Sequence, residues 1–118
     1  MYERHILGIE GEDIATEFLE NKGYQILDRN FLTRQGEIDI IAKDKEEYVF
    51  IEVKTRKSNE YGEPIDAINK NKINHLKSAI KYYLYINKLE NKFIRIDVIE
   101  VKYIKNKIYI NHIKQAIN

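Results

Sequence analysis

The chain has 118 residues and no cysteine, 43% of them are hydrophobic, and 20 Lys/Arg against 19 Asp/Glu leave a net charge of +1. That is the size of one domain, residues 1–118, able to bury about two thirds of its unfolded surface; disulfides and thiolate metal sites are excluded. No stretch approaches the ~20 apolar residues of a membrane span, and the N-terminal Met-Tyr-Glu-Arg-His lacks a signal peptide's apolar run, so we expect a cytoplasmic protein with no membrane partner.

Ile6–Lys22 reads as the first helix. Leu7, Ile14, Ala15, Phe18 and Leu19 recur at helical spacing, and Gly23 stands where a glycine ends helices in the left-handed conformation. Glu12 flanks the apolar face and can look toward a sheet edge; as an acid in the first turns it also suits the helix dipole. Glu10, Asp13 and Glu17 point further out. Tyr24–Asn30 reads as a strand and Phe31–Gln35 as a loop carrying Arg34. Gly36–Ala42 and Tyr48–Lys54 read as two strands rich in Ile and Val, joined by the short charged connection Asp44-Lys45-Glu46-Glu47. Thr55–Pro64 reads as a polar connection that leaves the second of these strands and should border whatever site that strand carries. Asn69–Ile86 reads as the second helix, with Ile73, Leu76, Ile80, Tyr83 and Leu84 on its apolar face and Lys70, Lys77, Lys81 and Lys88 on an outer stripe. Phe93–Val101 and Lys107–Ile113 read as two more strands, turning near Lys105-Asn106. His5, His75 and His112 are isolated and receive no role.

The order is α-β-β-β-α-β-β. The second helix is long enough to connect its flanking strands in parallel, so the expected fold is α/β, a mixed central sheet flanked by helices.

The chemistry gathers in the central hairpin. Alternation places Glu37, Asp39 and Ile41 on one face of the first strand and Phe50, Glu52 and Lys54 on one face of the second. Folding about Lys45-Glu46 sets Asp39 opposite Glu52 and Glu37 opposite Lys54. The two carboxylates would then lie ~5 Å apart. At an effective dielectric constant of about 20 they repel by roughly 3 kcal/mol. A divalent cation turns that repulsion into attraction, and carboxylate oxygens are what Mg²⁺ binds. The alternative is a solvated hairpin face of mixed Glu and Lys.

Charge is unevenly spread. Residues 1–66 carry 9 Lys/Arg and 16 Asp/Glu, a net of −7, and residues 67–118 carry 11 and 3, a net of +8. An acidic half with candidate metal ligands and a basic half suited to phosphates fit a metal-dependent nuclease; two solvated faces of opposite sign are the alternative. Tyr82, Tyr83 and Tyr85 could stack bases or pack the core and rim. There is no Gly-rich phosphate loop, no His-Glu-x-x-His and no Gly-x-Ser-x-Gly.

Asp39 followed by Glu52-Val53-Lys54 resembles the signature of the PD-(D/E)xK nuclease superfamily, which includes restriction endonucleases and archaeal Holliday junction resolvases. Ile38 stands where that signature has proline. Gly11-Glu12-Asp13-Ile14-Ala15, Gly36–Ala42 and Val49–Arg56 look like the YraN family of small bacterial proteins, over about Gly8 to Tyr83. The resemblance implies a restriction-endonuclease-like core and a Mg²⁺- or Mn²⁺-dependent endonuclease acting on nucleic acid, with DNA, including branched DNA, as the expected substrate. It implies Asp39 and Glu52 as metal ligands, Glu12 as an added ligand by analogy with the resolvases, and Lys54 as the cationic catalytic residue. Glu37 and Arg56 lie beside these groups. Lys70, Lys77, Lys81, Arg56 and Lys57 are the expected nucleic-acid contacts, and a homodimer is implied by the resolvases. The competing expectation is a nucleic-acid-binding module without turnover.

Overall fold

A computed structural model describes residues 2–57 and 68–118, with side chains of the first helix described from Glu10 onward. The element order is α1 (Tyr2–Asn21), β1 (Gln25–Leu32), β2 (Glu37–Asp44), β3 (Glu47–Lys57), α2 (Lys70–Ile86), β4 (Ile94–Ile104) and β5 (Lys107–Ile117). This is the expected α-β-β-β-α-β-β order. Tyr61, Gly62 and Pro64 of the expected polar connection lie outside the described residues.

Helix α1 ends as its sequence directs. Gly23 takes φ 92, while Tyr24 N–H donates to Leu19 O and Gly23 N–H to Glu20 O, both at 3.0 Å. These two bonds satisfy carbonyls that the last turn leaves open. Helix α2 starts on Asn69, whose side chain accepts from Lys72 N–H at 2.8 Å, a side-chain cap of the helix N-terminus. The Lys105-Asn106 turn has φ 44 and 62, the left-handed pair that a two-residue hairpin needs.

The five strands lie in sequence order β1-β2-β3-β4-β5. All neighbours are antiparallel except β3 and β4, which α2 joins in parallel. Strand β3 runs on through Thr55, Arg56 and Lys57, which we expected to begin a connection. The reason is tertiary: those residues pair with Val101, Lys102 and Tyr103 of β4. Pairing with β5 likewise carries β4 past Val101 to Ile104, and β5 itself runs past Ile113 to Ile117.

The helices cover opposite faces of the sheet. Ala15 and Leu19 of α1 pack with Ile40, Ala42, Val49, Ile51, Ile99 and Val101. Leu76, Ala79, Ile80 and Tyr83 of α2 pack with Ile38, Ile41, Phe50 and Val98. A strand buried on both sides loses the clean alternation of a half-solvated hairpin, so β3 is buried without interruption from Val49 to Glu52.

Two glycines set the helix positions. A Cβ on Gly11 would collide with Thr55 Oγ1, and one on Gly36 would lie 3.1 Å from His75 Cβ. Gly11 brings α1 down onto β3, and Gly36 brings β2 up against α2. Each glycine precedes an acid, Glu12 or Glu37, so close approach delivers both acids to the same end of the hairpin.

Candidate metal centre

Strands β2 and β3 pair in the expected register from Asp44↔Glu47 to Ile40↔Ile51. The next positions are Asp39 and Glu52, and there the strands part. In place of a ladder bond, Asp39 Oδ2 accepts from Val53 N–H at 2.8 Å. The parting also interrupts the alternation of β2, because Ile38 joins the α2-side core and Ile40 the α1-side core. The expected shared face of Glu37, Asp39 and Ile41 is therefore corrected: Asp39 turns into the gap between strands, where its carboxylate caps a backbone group left by the broken ladder.

Both carboxylates are buried, Asp39 at 8% exposure and Glu52 at 2%. Glu52 Oε1 lies 3.1 Å from Lys72 Nζ on α2, while Glu52 Oε2 is buried with no hydrogen-bond partner. Burial and the neighbouring Glu52 carboxylate push Asp39 up to about 8; Glu12 adds to the rise, while Val53 N–H and Lys72 oppose it. Burial and Glu37 hold half-buried Glu12 above the usual carboxylate range, with Glu52 adding to them, against Arg29 and a hydrogen bond to Asn30. Burial works against the charge of Lys72, but Glu52, Asp39 and Glu37 outweigh it and raise the ammonium. Four acids from α1, β2 and β3 thus share one electrostatic neighbourhood with one lysine from α2.

The donor set suits a hard divalent cation, since carboxylate oxygens are what such ions take. The unpartnered Glu52 oxygen and the suppressed ionisation of Asp39 both mark a place that lacks positive charge. Among the described residues no three or more His, Cys, Asp or Glu side chains are grouped to hold a metal ion; the buried acids that repel each other here are Asp39 and Glu52, with Glu12 nearby. Lys72 answers Glu52 Oε1 alone and leaves Oε2 without a partner.

The other candidates fall into three places. Lys54 is half-buried two residues beyond Glu52 and pairs with Glu100 in the β3–β4 ladder. Arg56, expected beside the site and as a phosphate contact, is buried with Nη1 3.1 Å from Glu100 Oε2. Lys57, Lys70, Lys77 and Lys81 are exposed. Lys72 was not among the expected site residues. It lies off the Lys70/Lys77/Lys81 stripe, and its one sequence signal is its place in the first turn after the crossover. His112, read as isolated, is not: Nε2 lies 2.7 Å from Asp97 Oδ2, and its ring meets Phe18 and Tyr24 edge-on.

Fold and site together define an α/β protein with a buried carboxylate pair where two central strands part. The profile of the uncharacterised protein family UPF0102 matches residues 11–101, and the chain belongs to that family. The match takes in all three stretches that carried the resemblance. UPF0102 protein CPE1705 of Clostridium perfringens (strain 13 / Type A) is 46% identical over 112 residues, 93% of this chain and 92% of its own. A UPF0102 protein of Caldicellulosiruptor saccharolyticus is 47% identical over 112 residues, covering 93% and 95%. UPF0102 protein CLJ_B2665 of Clostridium botulinum (strain 657 / Type Ba4) is 51% identical over 96 residues, covering 80% and 78%. A solved structure, "Crystal structure of SSO0001", aligns over 98% of this chain and 54% of its own at 18% identity and a TM-score of 0.39, too distant for its chemistry to carry over. No helix of the described residues is long and apolar enough to cross a membrane.

Proposed function

We propose that this UPF0102 protein is a divalent-cation-dependent nuclease of the PD-(D/E)xK type, hydrolysing phosphodiester bonds in DNA in the cytoplasm. The observation that carries this reading is the buried Asp39–Glu52 pair. Glu52 Oε2 has no partner and Asp39 resists ionisation up to about 8. A fold built for stability alone has no use for two like charges at the parting of its central strands.

In this reading Asp39 and Glu52 hold Mg²⁺ or Mn²⁺, with Glu12 as the added ligand. The bound ion would polarise the scissile phosphate and activate a water. Val53 N–H fixes the Asp39 carboxylate through Oδ2. Lys54 orients the attacking water or offsets charge on the phosphoryl oxygens. Arg56 holds Glu100, the ladder neighbour of Lys54, and so sets the charge around that lysine. Glu37 adds negative potential beside Glu12. Exposed Lys57, Lys70, Lys77 and Lys81 meet phosphates by charge. A homodimer is part of the proposal by resemblance to the junction resolvases.

One observation favours a second reading, a nucleic-acid-binding module without turnover. Lys72 Nζ already bonds Glu52 at 3.1 Å, as an internal cation that replaces a metal would. The deciding experiment incubates purified protein with linear, flapped and four-way-junction DNA, with Mg²⁺, Mn²⁺ or chelator, beside Asp39→Asn and Glu52→Gln. Metal-dependent cleavage by the parent, absent from both variants, is the expected result. Absence of cleavage, together with a melting temperature that ignores Mg²⁺, would give the decision to the binding module.

A further inference from the structure

The outer side of α2 carries an assembly that the carboxylate pair does not use. Helix α2 contains Lys70, Lys72, Lys77 and Lys81 and no Asp or Glu. Positions 75, 78, 82 and 85 are spaced three or four apart and form one stripe along it. At its near end His75 packs on Gly36, one turn beyond the lysine that bonds Glu52. At its far end stand Tyr82 and Tyr85, 49% and 68% exposed.

These tyrosines line a furrow. A groove of about 690 Å³ is bounded by Gln35, Ser78, Lys81, Tyr82 and Tyr85, with Glu90 the one acid in its lining among the described residues. A hollow of about 600 Å³, bounded by Leu32, Arg34, Gln35 and Tyr82, continues it. The opposite wall is the β1–β2 loop, which Thr33 holds: its hydroxyl donates to Gly36 O at 2.9 Å and accepts from Gly36 N–H at 3.1 Å. Phe31 backs the Tyr82 ring at 6.4 Å.

Packing does not account for this surface. Tyr83, the neighbour of Tyr82, is buried against Phe31 and Phe50, so the core already has its tyrosine. Tyr82, Tyr85 and 75%-exposed Leu32 put apolar area in water beside Lys81 and Arg34. Tyrosine and arginine are also found at protein interfaces, but lysine is depleted from their centres, so Lys81 beside the rings favours a polyanion. Rings interleaved with cations suit unstacked bases joined by phosphates. A duplex hides its base faces and offers only backbone and groove edges to such a surface.

We propose that the furrow binds a single-stranded segment of nucleic acid, with bases stacked on Tyr82 and Tyr85 and phosphates against Lys81 and Arg34. Its link to cleavage rests on the nuclease reading; the binding does not. Tyr82 is ten positions after Lys72, about 15 Å along a helix. That is roughly four nucleotides at the spacing of a stacked strand. The substrate class is then a nucleic acid unpaired within a few nucleotides of the scissile bond, such as a flap or a branch.

The test uses the full chain in chelator, so that cleavage plays no part. Fluorescence anisotropy follows a labelled oligothymidylate of about 20 nucleotides, longer than the site of a typical single-strand binder, and a duplex of equal length. The parent should prefer the single strand. Tyr82→Ala and Tyr85→Ala should each weaken it at least about fivefold, the lower end of one lost stacking contact. Tyr82→Phe and Tyr85→Phe keep the ring and should stay within about twofold of the parent. Lys81→Glu should flatten the salt dependence. Circular dichroism checks the fold of each variant, and exposed Tyr85 carries the test if Tyr82→Ala does not fold. Equal binding of duplex and single strand by the parent, unchanged affinity in folded alanine variants, or an equal loss in the phenylalanine variants would overturn the proposal. If binding behaves as expected and no DNA is cut with Mg²⁺, the nuclease reading falls and the furrow stands. Duplex cleavage without single-strand preference gives the reverse.

Discussion

Two groups of buried charge flank the centre of the sheet, and they differ in how completely the chain answers them. Around Asp97, on the α1 side, the carboxylate is fully answered, although His112 Nδ1 is buried without a hydrogen-bond partner. The Asp97 carboxylate accepts from Arg95 Nε at 3.0 Å and Gln115 N–H at 2.9 Å, and lies 2.7 Å from His112 Nε2. Arg95 in turn reaches Asp44 and Glu47, each at 3.1 Å, and the Tyr24 hydroxyl. Burial alone would raise Asp97, but His112, Arg95 and the Gln115 amide outweigh it and bring it below the usual range. Around Asp39 and Glu52 the answer is partial, and Asp39 moves the other way. Buried acids whose partners all come from the chain brace the fold, whereas a pair left short of positive charge is what the proposed metal site rests on.

The largest test of that contrast is at Asp97. Asp97→Ala leaves the Arg95 guanidinium without its fully buried carboxylate partner and should destabilise the protein by about 3–5 kcal/mol in urea unfolding. A cost below ~1 kcal/mol, the worth of an exposed pair, would mean that the network does not brace the fold.

Asp39 should behave in the opposite sense. Asp39 is held up to about 8 in the fold, so near neutral pH it must take up a proton that the unfolded chain does not carry; Asp39→Asn removes that cost and should stabilise the metal-free protein by roughly 1–3 kcal/mol. The same change should abolish both cleavage and the rise in melting temperature with added Mg²⁺. A variant that melts well below its parent in chelator would make Asp39 a structural residue.

The pH profiles sharpen the comparison. The folded pKa of Asp39 is raised from 3.8 to about 8, so the folded state holds that proton more tightly than the unfolded chain does. Stability linked to Asp39 is full below its unfolded value and is lost as pH rises toward 8. Asp97 is lowered, so its contribution is present above the unfolded value and is lost as pH falls through the folded one. Asp39→Asn should flatten the decline between pH 3.8 and about 8 in the metal-free stability curve and leave in place the loss linked to Asp97 at lower pH. Chelator and a pH series of urea melts would show it; an unchanged slope across that window would deny Asp39 its raised value.

Smaller effects are expected where the helices approach the site. Gly11→Ala collides with Thr55 Oγ1, the end of a small side chain, and should cost about 1 kcal/mol. Thr55→Ala should restore most of that loss; if the double variant melts no higher than Gly11→Ala alone, the contact does not set the position of α1. Lys77→Glu and Lys81→Glu should change stability by less than about 0.5 kcal/mol while weakening nucleic-acid binding and its salt dependence. Unchanged affinity across a salt series would leave this stripe a solvated face.

Much of the candidate site could be read from a single strand pair. Register follows from a short connection and two runs of Ile and Val, so Asp39 and Glu52 fall on neighbouring positions by counting alone. The helix ends at Gly23 and Asn69 and the turn at Lys105-Asn106 were equally local, because backbone chemistry within a few residues decides them. What each strand does beyond its own hairpin was not local. Thr55–Lys57 look like a loop until β4 supplies the partner, and Asp39 looks like an ordinary alternating residue until the ladder fails beside it.

The sequence by itself determined the order of elements, the sheet class, the hairpin register and the adjacency of Asp39 and Glu52, since periodicity and turn chemistry act over neighbours. Only the tertiary structure decided that Lys72 answers Glu52, that Asp97 gathers His112 and Arg95, and that Tyr82 faces water while Tyr83 does not. Those outcomes depend on how far a crossover carries α2 over the sheet and how closely Gly11 and Gly36 let the helices approach. Such distances between elements remote in sequence arise from packing, and packing leaves no periodic trace in the chain.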